Sequence, residues 1–186
     1  DSITAYLDVE VERDIVLGDN GNITFEVDGS ILEATTTDPA IGGSDTILTR
    51  NGDDIVIGGT AGDTIDAGTD ASGDSEVDIV LGDSGTATFD SAGRLDTITS
   101  TATDIGGDDL IDTGGARDVV FGGTASDTIH TESGDDIVLG DSGTATFKSD
   151  VTNHGTYNAI ANYSEYPYGI VLELQTITPT IGDDDI

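Results

Sequence analysis

The sequence contains no cysteine, no methionine and no tryptophan. Without cysteine there is no disulfide framework and no thiolate metal site. Basic residues are nearly missing too: 5 Lys+Arg stand against 38 Asp+Glu in 186 residues, a formal charge of −33. That sign excludes nucleic acid, whose phosphates demand cationic partners. No stretch reaches the roughly 18 apolar residues of a membrane-spanning helix, so membrane insertion is not expected. The opening residues, DSITAYLDVEVERD, lack the basic and apolar regions of a secretory leader. The chain also starts without Met and stops inside a repeated phrase, TIGDDDI, and is read as a piece of something longer. The two histidines, His130 and His154, stand apart and support neither a zinc site nor catalysis. No serine–histidine–aspartate order or phosphate loop rises above the acidic background, so no enzymatic activity is expected.

What remains is acidic, glycine-bearing and repetitive. A charge this high on so short a chain repels itself and opposes compaction. High charge with few aromatics ordinarily accompanies disorder. Here, however, the Ile, Val and Leu residues are regularly placed, which points to an external neutraliser of the carboxylates. Calcium suits best, because it takes several hard oxygen ligands. The phrase DIVLGDSGTATF occurs at 78–89 and again at 136–147, with a near copy, DIVLGDNGNITF, at 14–25. Asp14 to Asp78 spans 64 residues and Asp78 to Asp136 spans 58. Inside this long period lies a short one, with large apolar residues recurring nine apart, as in Ile47, Val56 and Ile65 or Ile111, Val120, Ile129 and Val138. Nine is neither a helical nor a plain strand period; it fits a short strand plus a tight turn.

The cleanest copies, GGTAGDTID (58–66) and GGTASDTIH (122–130), resemble the glycine-rich nonapeptide of the RTX (hemolysin-type) calcium-binding repeat family. The resemblance covers most of 14–147 and returns at 169–186. It implies an all-β fold, a right-handed parallel β-roll (a β-solenoid) of stacked nonapeptide coils with loop insertions. It also implies calcium-dependent folding and secretion. Two departures stand out: Ala61 and Ala125 replace the fourth-position glycine, and the GDSG turns carry Asp at the second position and none at the sixth. The candidate calcium ligands two residues before the inward aliphatic are Asp14, Asp45, Asp54, Asp63, Asp78, Asp109, Asp118, Asp127 and Asp136. The second-position aspartates Asp19, Asp83 and Asp141 form another set. One Asp beside a glycine is an ordinary turn former; nine in register with an apolar position favour a metal.

Alternate rungs assign Val16, Ala34, Val56, Val80, Ile98, Val120, Val138 and Leu174 to one sheet. Phe25, Ile47, Ile65, Phe89, Ile111, Ile129 and Phe147 go to the other. Eight strands at about 4.8 Å would make a rod of roughly 35 Å. Beside the first set, Ile15/Leu17, Ile55/Ile57, Ile79/Leu81, Val119/Phe121 and Ile137/Leu139 form an apolar outer stripe. The stripe is either an interface for lateral self-association or neighbouring domains, or it is covered by the long loops 36–44, 66–77, 100–108 and 148–168. By this division 1–13 is a flank or preceding coil, 14–147 the roll, 148–168 an insertion holding Tyr157, Tyr163, Tyr166 and Tyr168, and 169–186 a truncated continuation. The expected role is a calcium-binding structural module of a large secreted or cell-surface bacterial protein, adhesin-like, surface-layer-like or filament-like. Its rivals are a carbohydrate- or partner-binding adhesive module and the tail of a secreted enzyme. Ice binding would want Thr-x-Thr on successive coils, and among the rungs only Thr97/Thr99 shows it, so ice binding is not expected.

Overall fold

The computed structural model describes residues 2–4, 13–68, 76–148 and 170–176, and every regular element among them is a β-strand. The chain begins with β1 (Ser2–Thr4) and β2 (Ile15–Leu17), then makes a hairpin of β3 (Gly21–Phe25) and β4 (Ile31–Thr36). It continues through β5 (Thr46–Leu48), β6 (Ile55–Gly59), β7 (Thr64–Asp66) and β8 (Ile79–Asp83) to a second hairpin, β9 (Gly85–Phe89) and β10 (Leu95–Ser100). Next come β11 (Leu110–Asp112), β12 (Gly115–Ala116), β13 (Val119–Gly123), β14 (Thr128–His130), β15 (Ser133–Gly134) and β16 (Ile137–Asp141). The last pair, β17 (Gly143–Lys148) and β18 (Ile170–Thr176), is antiparallel.

Successive strands drop alternately into two five-stranded parallel sheets. One runs β1-β5-β7-β11-β14, the other β16-β13-β8-β6-β2. The nine-residue period produces this, because each copy supplies one three- to five-residue strand and one turn. The registers pair equivalent letters: Ile47 with Ile65, Ile65 with Ile111, Val56 with Val80, Val80 with Val120. The inward residues meet in one core, in which Val56, Val80 and Val120 pack with Ile47, Ile65 and Ile111, all completely buried. At about 4.8 Å per strand, five strands stack to roughly 19 Å.

The hairpins build a third sheet. Its six strands, β18-β17-β10-β9-β4-β3, are all antiparallel. This corrects the fifteen-rung assignment. Ala34 and Ile98 do not join the valine sheet, nor Phe25, Phe89 and Phe147 the isoleucine sheet; all five lie in the hairpin sheet with Leu174. The turns explain the misreading. In the second hairpin the Asp90 amide donates to the Arg94 carbonyl and the Gly93 amide to the Asp90 carbonyl, and Gly93 takes a left-handed φ of 71°. A turn of that length sets Phe89 and Ile98 nine residues apart on adjacent antiparallel strands, the spacing that two successive coils would also give.

The hairpin sheet also decides the fate of the apolar stripe. Ala34, Ala87, Ile98, Ala145 and Phe147 pack onto Ile55, Ile57, Ile79, Leu81, Val119 and Phe121 in a second core. Ile55, Ile57, Val119 and Phe121 have no exposed surface at all. The stripe is covered by this sheet, with Ile15, Leu17 and Ile137 partly buried against it. Residues 170–176 pair antiparallel with β17, so they belong to the hairpin sheet and do not continue the parallel stack. The tyrosines of the insertion lie outside the described residues. No helix among the described residues is long and apolar enough to cross a membrane.

Candidate functional site

The sequence-derived aspartates fall into three rows. Asp14, Asp54, Asp78, Asp118 and Asp136 each stand immediately before a strand of the valine sheet. Their side chains run along the stack: the Asp14 amide donates to Asp54 Oδ1 at 2.8 Å, Asp54 to Asp78 at 2.9 Å, Asp78 to Asp118 at 2.9 Å and Asp118 to Asp136 at 3.0 Å. Asp45, Asp63, Asp109 and Asp127 precede the isoleucine strands and repeat the pattern, with amide-to-Oδ1 distances of 2.8, 2.7 and 2.9 Å. One carboxylate oxygen per rung therefore ties its coil to the one before it. These bonds satisfy amides at the strand entrances, where the ladder of main-chain pairs has not yet begun.

The third row sits between coils. Asp19 accepts from the Gly43 amide at 3.2 Å and the Thr60 amide at 2.7 Å. Sixty-four residues on, Asp83 accepts from the Gly107 and Thr124 amides in the same way. Asp141 ends β16 opposite Gly123 and is half-buried. The long sequence period is thus a spatial one. Asp19, Asp45 and Asp63 make one acidic group, and Asp83, Asp109 and Asp127 make its copy. The first group opens onto a recess lined by Gly18, Asp19, Asn20, Gly42, Gly43 and Asp45.

Burial makes these groups electrostatically expensive. Asp63, Asp83 and Asp109 are 2%, 3% and 3% exposed. Burial pushes the Asp63 carboxyl up to about 7, with Asp45 and Asp19 adding repulsion. It pushes Asp83 up to about 8 against the opposing amide bonds from Thr124 and Gly107. Asp109 goes up to about 9, through burial first and the neighbouring Asp83 charge second. Asp54 is also raised, mainly by burial. The Oδ2 atoms of Asp63 and Asp109 are fully buried and have no hydrogen-bond partner among the described residues. A buried carboxylate in that position either holds a proton or meets a cation.

The donor set is made only of carboxylate and main-chain oxygen, which fits a hard cation such as calcium and not a soft one. Among the described residues, however, no three acidic or histidine side chains converge as a metal cage. The glycines are arranged around the carboxylates. A Cβ at Gly58 would overlap Asp63 Oδ2 and the Gly82 carbonyl oxygen; at Gly82, Asp109 Oδ2; at Gly122, Asp127 Oδ2 and the Gly140 carbonyl oxygen.

Sequence reasoning missed two contributors. Thr113, completely buried, donates its hydroxyl to Asp118 Oδ2 at 2.7 Å, and the Asp53 carboxylate receives the Val77 amide at 2.9 Å. The Asp53–Asp54 and Asp108–Asp109 doublets carried a faint signal for the second kind, since Asp108 likewise receives the Ser126 amide at 3.0 Å. Nothing in the spacing marked Thr113. No family model matches this chain, and no curated protein or solved structure matches it.

Proposed function

We propose that this chain is a calcium-binding structural module of a large secreted or surface-attached bacterial protein, with no catalytic role. Its two parallel sheets would be the faces of a right-handed roll of the RTX-like kind that its nonapeptides resemble. The observation that supports this best is the duplicated acidic group. Asp19, Asp45 and Asp63, and again Asp83, Asp109 and Asp127, form two acidic groups, in which burial and neighbouring charge raise the proton affinity of Asp63, Asp83 and Asp109. These six residues would hold the ions, and a divalent cation would supply the positive charge that 5 Lys+Arg cannot supply to 38 Asp+Glu.

The ladder bonds give the coils a partial register before any ion arrives. The self-repulsion of a −33 chain still opposes closure. Metal binding then becomes folding energy. With the affinity usual for extracellular modules, about 10⁻⁴–10⁻³ M, the chain would stay open in a calcium-poor cytosol and close after export. Circular dichroism in EDTA, followed by calcium titration, tests this. The expected result is a strand signal that is weak in EDTA and grows with calcium. Isothermal titration should place the binding in the same concentration range. A strand signal indifferent to EDTA, with no heat of binding, would falsify the proposal.

A further inference from the structure

The hairpin sheet has an outer face that neither core uses. In β9, β10 and β17 the buried residues Ala87, Ile98 and Ala145 alternate with Thr86/Thr88, Thr97/Thr99 and Thr144/Thr146. Side chains alternate across a strand, so these six threonines point away from the core. The register sets them in two straight rows, Thr88–Thr97–Thr146 and Thr86–Thr99–Thr144. The second row carries on into β4, where the Thr35 and Thr86 hydroxyls bond to each other at 2.6 Å. The Thr-x-Thr pattern is therefore not confined to Thr97/Thr99: three consecutive strands share it, which was hidden while these strands were read as alternate rungs of two different sheets.

The array has a regular mesh of about 6.8 Å along each strand and about 4.8 Å between strands. Threonine side chains are stiff at χ1, so hydroxyls and methyls are held at fixed places before any partner arrives. Strand propensity alone favours threonine, but it acts equally on the outer face of the isoleucine sheet. There the corresponding positions are mixed: Thr46, Thr64, Leu110 and Thr128 make one row, and Leu48, Asp66, Asp112 and His130 the other. Charge sharpens the contrast. The six positions carry none, on a chain whose formal charge is −33. A cationic protein or polycation would be drawn to the acidic surface elsewhere; a neutral, two-dimensional patch is complementary to a neutral partner with a lattice of its own. The six positions hold no aromatic ring for stacking on sugars, and the uncharged mesh is three strands wide: the register puts Glu33 of β4 next to Thr88, and Glu173 and Gln175 of β18 next to Thr146 and Thr144. Alternating hydroxyl and methyl groups instead suit ordered water.

We propose that the threonine face of the hairpin sheet binds ice, engaging the oxygen lattice of a crystal plane. The test uses the full chain in calcium-containing buffer, with folding confirmed by circular dichroism. The folded chain is expected to inhibit ice recrystallisation and to produce a measurable thermal hysteresis gap. Thr97→Tyr, at the centre of the array, should raise the concentration needed for inhibition by about ten-fold or more. Thr64→Tyr, exposed on the outer face of the isoleucine sheet, should leave it unchanged. If the Thr97 variant does not fold, Thr97→Val keeps the shape and removes only the hydroxyl, and a weakened effect is still expected. A folded wild-type chain without ice activity overturns the proposal. So does activity indifferent to the Thr97 substitutions, or retention on insoluble cellulose or chitin in the absence of any effect on ice.

Discussion

Asp109 shows how far one side chain is stretched between two duties. Its Oδ1 receives the Asp63 amide at 2.7 Å, while its Oδ2 is buried beside Asp83 without a partner among the described residues. Asp109→Asn keeps an acceptor for the amide and deletes the charge. In EDTA at pH 8 the variant should melt higher than the wild type, since a buried charge or its proton is no longer demanded. In calcium it should gain less, because a ligand has lost its charge; paired thermal melts check both directions. Ala61 and Ala125 offer a second case. Both sit at left-handed φ values, 74° and 88°, where the resembled repeat has glycine. The conformation has been kept and the residue has changed. Left-handed alanine costs roughly 1–2 kcal/mol, and glycine returns part of that as chain entropy, so Ala61→Gly and Ala125→Gly should each stabilise by about 0.5–1 kcal/mol. Chemical denaturation with an unchanged m-value would check it.

At the scale of elements, the two cores are unequal in how openly the sequence declares them. The inner one follows the nine-residue spacing, and Val56, Val80, Val120, Ile47, Ile65 and Ile111 lie where that spacing puts them. The aspartates two residues earlier were legible for the same reason, because a repeat that fixes one position fixes its neighbours. The outer core was not legible, since its partner sheet shares the spacing of the coils. Phe89 and Ile98 are nine apart whether a coil or a hairpin joins them, and only the turn chemistry distinguishes the two. The sequence VDGS at 27–30 and SAGR at 91–94 held that clue, with Gly29 and Gly93 at φ values of 94° and 71°. The carboxylate-to-amide ladder was invisible as well, because composition does not say which oxygen faces which coil. The outer core is testable through Phe121, which is completely buried between the sheets. Phe121→Ala should cost about 3–5 kcal/mol. Phe25→Ala, at a residue 54% exposed on the edge strand β3, should cost less than about 1 kcal/mol. Equal losses in urea denaturation would mean that the hairpin sheet does not cover the stripe.

For the whole molecule, pH and calcium should act against each other. Asp63, Asp83 and Asp109 carry folded-state values of about 7, 8 and 9 against 3.8 for a free aspartate. Between those limits the folded chain binds more protons than the unfolded one, so metal-free stability falls as pH rises from about 4 to about 9. The slope is on the order of 1 kcal/mol per pH unit for each group still holding its proton. The metal-free chain should therefore melt higher at pH 5 than at pH 8. Calcium must displace those protons, so its stabilising effect should be larger at pH 8. At 10 mM calcium and a dissociation constant of about 1 mM, each site adds about 1.4 kcal/mol. Melting curves at the two pH values, with and without EDTA, read all four corners.

The hairpins advance at the same pitch as the coils. Each hairpin contributes two strands to its sheet, and β2, β8 and β16, which lead into the three hairpins, are each separated by a single strand, β6 or β13, in theirs. Two strands of one sheet are thus as tall as two of the other, and the layers never drift out of step however many units are joined. The tips at 26–30 and 90–94 lie outside this match, and the equivalent connection before β18 is already 149–169. Foreign peptides spliced into the two short tips should be carried like pennants on a mast, leaving the spacing of the mast untouched.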